Sequence, residues 1–314
     1  MSITTTYCPS CGQSIEAEPG SLCQICQTKM SEVIENAGRS TEEQFPVAPA
    51  TENSSSPWLD LLWAFLIWGV SGAFLLGLDA ALRLALYLLG KEIPKIEITR
   101  GAAILTLAIT LVLQVVALGA SWMFISRLGR KPFLKTLGWH WHPQFKWQHA
   151  MALAMLMFGV AVALSKLLPH QETDMDKILK MGFVIRAMVA VLAVLVAPLV
   201  EEIVYRGVVY STVERLGGKA AGVITVTAIF ALVHVPQYWG SVAAITAIVT
   251  LSLVLTLLRA WTGSLLPCVV MHLAYNGIQA GILLIAPDTA LEAPTQKAAI
   301  ILINDWTNYL LGGS

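Results

Sequence analysis

Long runs of apolar residues alternate with short polar segments along most of the chain after residue 57. The runs predict seven helices and a weaker eighth, at about 58–89, 101–126, 149–168, 183–213, 219–237, 241–261, 264–286 and 296–311. A helix of about 20 residues, at about 1.5 Å per residue, crosses a hydrocarbon core of about 30 Å. The pattern therefore predicts an all-α polytopic membrane protein with a bundle of about seven to eight transmembrane helices.

The composition agrees with a multi-pass integral membrane protein. The 314 residues are 56% hydrophobic and 13% charged, and the mean hydropathy is +0.68. A soluble domain carries about a quarter charged residues. The apolar runs are continuous, whereas the strands of a transmembrane barrel alternate apolar and polar residues. The net charge is zero and no basic cluster stands out, so we expect no nucleic acid partner.

The distribution of cations predicts the orientation in the membrane. With the N-terminus in the cytoplasm, the inside segments 1–57, 127–147, 206–219 and 259–263 hold eleven Lys and Arg, against six in the outside loops. The positive-inside rule therefore favours a cytoplasmic N-terminus.

The chain divides into three regions by composition. Residues 1–29 hold four of the five cysteines and predict a small head. Residues 30–57 are rich in Glu, Ser, Pro and Ala without apolar periodicity, which indicates a flexible linker. Residues 58–314 form the predicted membrane domain.

The cysteines of the head have the spacing of a structural zinc site. They stand as two C-x2-C pairs separated by eleven residues: Cys8, Cys11, Cys23 and Cys26. Two such pairs supply four thiolates in a tetrahedron around Zn²⁺, which closes the site to catalysis. Two disulfides are disfavoured because cytoplasmic thiols stay reduced, while iron in the same thiolates stays open. We expect a zinc-ribbon-like head that recognises a protein partner or regulates the membrane domain.

One helix carries three charged residues within an apolar run. Charged groups in hydrocarbon are costly, so each needs a partner or a function. Glu202 and Arg206 are four residues apart on one helical face, which suits an ion pair. Glu201 lies about 100° around the helix from Glu202, so the ion pair does not account for it.

Two later helices contribute polar side chains of complementary chemistry. His272 and Asn276 share one face at i, i+4 spacing, and His234 lies near the far end of its own helix. Each of these residues alone is most often structural. Together, a carboxylate that can act as a base and side chains that can stabilise an oxyanion are what peptide hydrolysis requires.

These residues resemble the motifs of the CPBP family, the CAAX-processing and bacteriocin-processing intramembrane proteases, also called Abi proteins. The three motifs E-E-x-x-x-R, F-x-x-x-H and H-x-x-x-N stand here, in order, as Glu201-Glu202 to Arg206, Phe230 to His234 and His272 to Asn276. The resemblance covers about residues 180–286, and leaves the head and the linker outside.

The resemblance implies an intramembrane endopeptidase and a role for each motif residue. Glu201 with His234 would activate water, His272 and Asn276 would stabilise the oxyanion, and Glu202 and Arg206 would support the site. The implied substrates are membrane-embedded or lipid-tethered peptides, with membrane lipids as surroundings. Some family members are known mainly as scaffolds or immunity proteins.

Several alternatives stay open from the sequence. Glu201, His234 and His272 would also suit a catalytic zinc ion. The sequence therefore leaves open whether the enzyme is a glutamate-dependent peptidase or a metallopeptidase. Cys268 lies four residues before His272, although packing is the preferred role for this thiol. A metal is conceivable in the loop with His140, His142 and His149, where three tryptophans favour an interfacial anchor. The non-enzymatic alternative is a membrane scaffold that recruits partners through the ribbon.

Overall fold

The structure is a computed structural model, which describes residues 4–7, 14–17, 23–31, 56–70, 85, 88–89, 99–169 and 171–285. The chain divides into two compact units, residues 1–52 and residues 53–314.

The N-terminal unit contains a short hairpin and a helix. Strands β1 (Thr4–Tyr7) and β2 (Ser14–Ala17) pair antiparallel, with Tyr7 opposite Ser14. Helix α1 (24–31) follows, and its first turn is closed by the Gln27 N–H, which donates to the Cys23 carbonyl at 2.9 Å. Cys23 is buried. Cys8 and Cys11 fall between the strands in sequence and lie outside the described residues, so the zinc site stays a prediction.

The described secondary structure of the second unit consists of helices, apart from an isolated β-bridge between His142 and Phe145. Its helices are α2 (Pro57–Trp68), α3 (Arg100–Ser126), α4 (Phe133–Leu137), α5 (Trp147–Leu167), α6 (Asp174–Leu179), α7 (Phe183–His234), α8 (Val242–Thr262) and α9 (Leu266–Ile285). Five of them, α3, α5, α7, α8 and α9, are long and apolar enough to cross a membrane. The predicted all-α polytopic membrane fold is confirmed. The predicted helix at 296–311 and much of 69–89 lie outside the described residues.

Two predicted helices form one 52-residue helix that changes direction at a glycine. Gly218 has φ 81° and ψ 175°, which is not helical, and it lies in the gap predicted between 183–213 and 219–237. A glycine adopts such a conformation because it has no Cβ to clash with the backbone. The part of α7 from Tyr210 to His234, which contains this bend, packs against α8.

Two short helices were not predicted from the apolar pattern, because they are too short to show periodicity. Helix α4 has five residues and helix α6 has six. Helix α6 begins with a capping box in which the Asp176 carboxylate accepts from the Thr173 N–H at 2.8 Å. The Thr173 hydroxyl accepts in turn from the Asp176 N–H at 3.2 Å. Such reciprocal bonds satisfy two N–H groups that a helix start leaves unpaired.

The segments of the second unit that were predicted to face the cytoplasm lie together at one end of it. The Arg127 guanidinium donates two hydrogen bonds to the Asp60 carboxylate, at 3.0 and 2.9 Å. Arg215 donates to the same carboxylate at 3.0 Å. The Gly138 carbonyl accepts from the Leu265 N–H at 2.9 Å. The grouping of these connections agrees with the predicted topology, while the cytoplasmic assignment itself stays a prediction.

The histidines of the loop 138–149 take part in local contacts. His140 Nε2 lies 2.9 Å from the Ser264 hydroxyl, and His142 packs on Trp261 with ring centroids 5.2 Å apart. His149 Nδ1 accepts from the Lys146 N–H at 2.9 Å. Within the described residues, no three His, Cys, Asp or Glu side chains form a metal-binding group, so the loop offers no such site.

We expect Gly138→Ala to destabilise the protein and Gly119→Ala to leave it nearly unchanged. Gly138 has φ 72°, and a Cβ there would lie 2.8 Å from the Gly263 carbonyl oxygen. The left-handed conformation alone costs roughly 1–2 kcal/mol for a residue with a Cβ. A Cβ at Gly119, inside α3, would meet nothing within 4 Å. Thermal unfolding in detergent micelles measures the difference, and equal melting temperatures for the two variants would contradict the assignment.

Candidate active site

The first part of α7 contains a widened turn created by a proline. Over Leu192–Val196 the helix is a π-helix, in which the Ala197 N–H donates to the Leu192 carbonyl five residues before it. The next N–H in this register would come from Pro198, which has none. The Ala193 carbonyl is thus left without a donor from its own helix. The Asn276 amide of α9 donates to it at 2.8 Å, which ties α9 to α7.

A second π-helical segment, Glu202–Val209, follows after the α-helical stretch Ala197–Glu201. Its last turn closes when the Tyr210 N–H donates to the Tyr205 carbonyl. Segments of π-helix inside α-helices are rare and often mark functional sites. Glu202 and Arg206 lie within this segment, and the Arg206 Nη1–H donates to Glu202 Oε1 at 3.0 Å. The ion pair predicted from their spacing is therefore present.

Arg206 is fully buried and hydrogen-bonded to α8 as well as to Glu202. Its Nη2 donates to the Ser252 carbonyl at 3.1 Å and to the Ser252 hydroxyl at 3.0 Å. Its Nε donates to the Thr256 hydroxyl at 3.3 Å. The guanidinium also lies over the Phe230 ring at 4.8 Å. A buried charge is tolerated when it is paired and its donors are satisfied, and Arg206 meets both conditions.

The Glu202 carboxylate connects Arg206 to His272. Glu202 Oε1 lies 2.8 Å from His272 Nδ1 and 3.0 Å from Arg206 Nη1. The other oxygen, Oε2, is buried and has no hydrogen-bond partner among the described residues. An ionised carboxylate only accepts hydrogen bonds, so the Nδ1 of His272 must donate. Glu202 therefore fixes the orientation of the His272 ring and turns its Nε2 away from Glu202.

His272 Nε2 faces the second glutamate. It lies 3.9 Å from Glu201 Oε2, beyond direct hydrogen-bond distance. The Glu201 side chain is 17% exposed, whereas the Glu202 side chain is 0% exposed. The two adjacent glutamates thus have different surroundings, and Glu201 is the one with open space beside it. This difference agrees with the division of the pair made from helical spacing.

His234 lies on the same aromatic ring as His272 and makes a separate hydrogen bond. Its Nδ1 is 2.7 Å from the Phe230 carbonyl of its own helix, and its ring stacks on Phe230 at 4.6 Å. The His272 ring meets Phe230 edge-on at 6.3 Å. His234 makes no hydrogen bond or ion pair with Glu201 within the described part of the chain. Phe230 therefore separates two histidines that reach the site from different helices.

The structure also adds residues that the sequence analysis missed. Ser252 and Thr256 hold Arg206, and the Trp68 indole N–H donates to the Tyr205 hydroxyl at 3.2 Å. Ser252 and Thr256 are spaced i, i+4 within an apolar helix, and hydroxyls on one face of such a helix often bond to neighbouring helices. This spacing of two hydroxyl residues could have indicated Ser252 and Thr256 from the sequence. The Trp68 contact with Tyr205 had no comparable signal.

Two alternative chemistries find little support in this geometry. Glu201, His234 and His272 do not form a metal-binding group, and neither does any other set of the described residues. Cys268 is buried, and its thiol donates to the Leu255 carbonyl at 3.4 Å and the Ser264 carbonyl at 3.7 Å. A thiol in such a position packs and bonds to backbone, which is the structural role preferred for it.

The comparison with known families points to a peptidase. Residues 183–278 match the family model described as type II CAAX prenyl endopeptidase Rce1-like. No curated protein and no solved structure matches the chain. The matched segment contains all six motif residues of the candidate site. This supports the resemblance to CPBP proteases and, with the five long apolar helices, a multi-pass membrane peptidase.

We expect Arg206→Met to lower the free energy of unfolding by about 3–5 kcal/mol, because it leaves the buried Glu202 carboxylate without its cation. The double variant Glu202→Gln/Arg206→Met removes both charges and regains part of this loss. Arg130→Met, at an exposed loop position, serves as a control with an effect below about 0.5 kcal/mol. Denaturant titration in micelles measures all three. A loss below 1 kcal/mol for Arg206→Met would contradict a structural role.

Proposed function

We propose that the protein is an intramembrane endopeptidase that hydrolyses membrane-embedded or lipid-tethered peptides. The observation that carries the proposal is the pairing of Glu201 with His272 Nε2 across 3.9 Å, beside a fully buried Glu202–Arg206 pair. The family match concerns prenyl endopeptidases, which supports a prenylated or similarly lipidated peptide as substrate. A site built from membrane helices also suits a substrate held in the bilayer.

Glu201 is the general base in this proposal. Glu201 Oε2 and His272 Nε2 are 3.9 Å apart, a distance that a water molecule can bridge. A water beside Glu201 would lose a proton to the carboxylate as its oxygen attacks the peptide carbonyl. Glu202 is unsuited to this role, since its side chain is fully buried and its Oε1 already accepts from Arg206 and His272.

His234 would help to hold the attacking water. Its Nδ1 must be the donor in the bond to the Phe230 carbonyl, because a carbonyl oxygen only accepts. The neutral ring then has an unprotonated Nε2 that can accept a hydrogen bond from water. For this role, the His234 ring and Glu201 must approach one water from two sides once substrate is bound.

His272 and Asn276 would stabilise the oxyanion. When both nitrogens are protonated, His272 donates from Nδ1 to Glu202 and from Nε2 towards the reacting oxygen. The Asn276 amide has two N–H groups, of which one is donated to the Ala193 carbonyl. The second can be donated to the oxyanion. Donors held in place by the protein in this way stabilise the transition state without reorganisation.

The N-terminal head is proposed to hold a structural zinc ion. Three observations support it: the C-x2-C spacing, the position of Cys8 and Cys11 between paired strands in sequence, and a buried Cys23 directly before α1. Cys23 and Cys26 stand three residues apart at the start of that helix. With the zinc bound, the four thiolates would fix the hairpin to the helix, and a protein partner is the expected ligand of that surface.

We expect Glu201→Gln to abolish specific cleavage, with at least a hundredfold loss of rate, because the amide cannot accept the proton of water. The measurement compares membrane-protein termini in cells that carry wild-type protein or the variant at equal levels. Termini that depend on the wild type identify the substrates as well as the activity.

Two controls accompany this comparison. Glu172→Gln changes an exposed glutamate that pairs with Lys180, and Cys268→Ala removes the buried thiol. Both variants should retain cleavage. If the termini are identical in wild-type and Glu201→Gln cells, and the variant also rescues the phenotype of a deletion, the hydrolytic proposal is wrong and a scaffold function replaces it.

We expect one zinc ion per full-length chain in wild-type protein and none after Cys8, Cys11, Cys23 and Cys26 are changed together to serine. Elemental analysis of the purified proteins measures this. Metal that persists in the four-serine variant would indicate a second site and would revive the metallopeptidase alternative. Cleavage that survives in a metal-free variant would support the glutamate mechanism.

A further inference from the structure

A groove separate from the candidate active site lies between α2 and the middle of α7. The groove is open and has a volume of about 270 Å³. Its walls are mainly apolar, and they include Trp58, Leu61, Phe65, Val213, Leu216 and Thr225. Trp58 lies at the end of α2 and is 71% exposed. From Trp58 to Phe65 the groove runs roughly 10 Å inward, at about 1.5 Å per residue.

Two arginines are bound to Asp60, the residue next to Leu61 of the groove on α2. Arg215 stands next to Leu216 on α7 and pairs with Asp60 on α2, the same two helices that form the groove. Arg127 joins them from the end of α3. The Asp60 side chain is fully buried, while the Arg127 and Arg215 side chains are 34% and 46% exposed. Two guanidinium groups thus share one carboxylate and keep exposed edges.

The surroundings of the two arginines are basic. The segment 127–146 contains five Lys and Arg and no acidic residue, and the segment 207–219 contains Arg215 and Lys219 against Glu214. Arg215 uses Nη2 for Asp60, and its Nε and Nη1 make no hydrogen bond within the described residues. The end of the groove therefore combines free guanidinium donors with a local excess of positive charge.

We propose that the groove binds one anionic glycerophospholipid from the surrounding bilayer. Its phosphate would accept hydrogen bonds from Arg127 and Arg215, and one acyl chain would lie between α2 and α7 along Leu61 and Phe65. Basic pockets between transmembrane helices bind anionic headgroups, and tryptophan at a helix end marks the level of the headgroups. The arginines thus suit the phosphate of a phospholipid, and the apolar groove suits its acyl chain.

The position of the groove separates this ligand from the peptide substrate. Arg215 follows Glu201 by fourteen residues along α7, which is roughly 20 Å at about 1.5 Å per residue. A peptide bond at Glu201 and a phosphate at Arg215 are therefore different sites. The proposal does not depend on the proposed hydrolytic activity. The lipid would join α2, α3 and α7 at the headgroup level, and so stabilise the fold.

The test uses the full-length protein in detergent with added phosphatidylglycerol or phosphatidylcholine. Native mass spectrometry counts bound lipid, and thermal unfolding reports stabilisation. We expect wild-type protein to retain one phosphatidylglycerol and to melt at a higher temperature with it than with phosphatidylcholine. Arg215→Gln should weaken the binding of phosphatidylglycerol about fivefold, with the melting temperature in phosphatidylcholine nearly unchanged because Arg127 still pairs with Asp60.

Matched variants test the two parts of the site separately. Thr225→Trp fills the groove and should prevent lipid retention, whereas Ile224→Trp, at a neighbouring position that is 69% exposed, should not. Lys166→Gln removes a charge from the last turn of α5 and should have no effect.

Three results would overturn the proposal. The first is equal retention of the two lipids by wild-type protein. The second is an equal effect of Lys166→Gln and Arg215→Gln. The third is stabilisation by glycerol phosphate as large as that by phosphatidylglycerol, since this would require no acyl chain in the groove.

Discussion

The arrangement of the candidate site depends on one buried charge pair. Arg206 and Glu202 are both fully buried, and a lone charge at either position would be costly in a membrane protein. The pair lowers that cost together with Ser252 and Thr256 on α8, which bond to Arg206, and His272 on α9, which bonds to Glu202 Oε1. Three helices are thereby held at fixed distances around the space beside Glu201. The hydrolytic chemistry proposed for Glu201 requires this fixed geometry, because a base acts over hydrogen-bond distances.

The two glutamates show how adjacent residues of one type acquire different chemistry. Glu202 is fully buried and its Oε1 receives two hydrogen bonds, whereas Glu201 is partly exposed and faces His272 across a gap. The π-helical segment that starts at Glu202 widens the helix at this point, and the proline before it leaves a carbonyl for Asn276. The departure from α-helical pairing before Pro198 thus gives Asn276 a backbone partner that a regular helix would not offer.

Much of the fold and of the candidate site could be predicted from the sequence. The features that could not be predicted leave no local pattern in the sequence. The long helices and the Glu202–Arg206 pair follow from apolar run length and i, i+4 spacing, which are local properties. The bond between His272 and Glu202 spans 70 residues, and no local pattern indicates which histidine nitrogen meets which carboxylate. Apolar periodicity gave no sign of the π-helical turns, because it does not report which backbone groups pair. The partners of Asp60, a residue predicted only as part of the first helix, are likewise 67 and 155 residues away.

Those distant partners have a consequence for the order in which the protein assembles. Asp60 belongs to the first described helix of the membrane unit, while Arg127 and Arg215 are synthesised later. Until both arginines emerge, a fully buried Asp60 would lack the cations that balance it. Helix α2 must therefore wait near the membrane surface, and it docks when α3 and the first half of α7 have been made. Within the second unit, the first described helix to be synthesised is thus among the last to reach its final position.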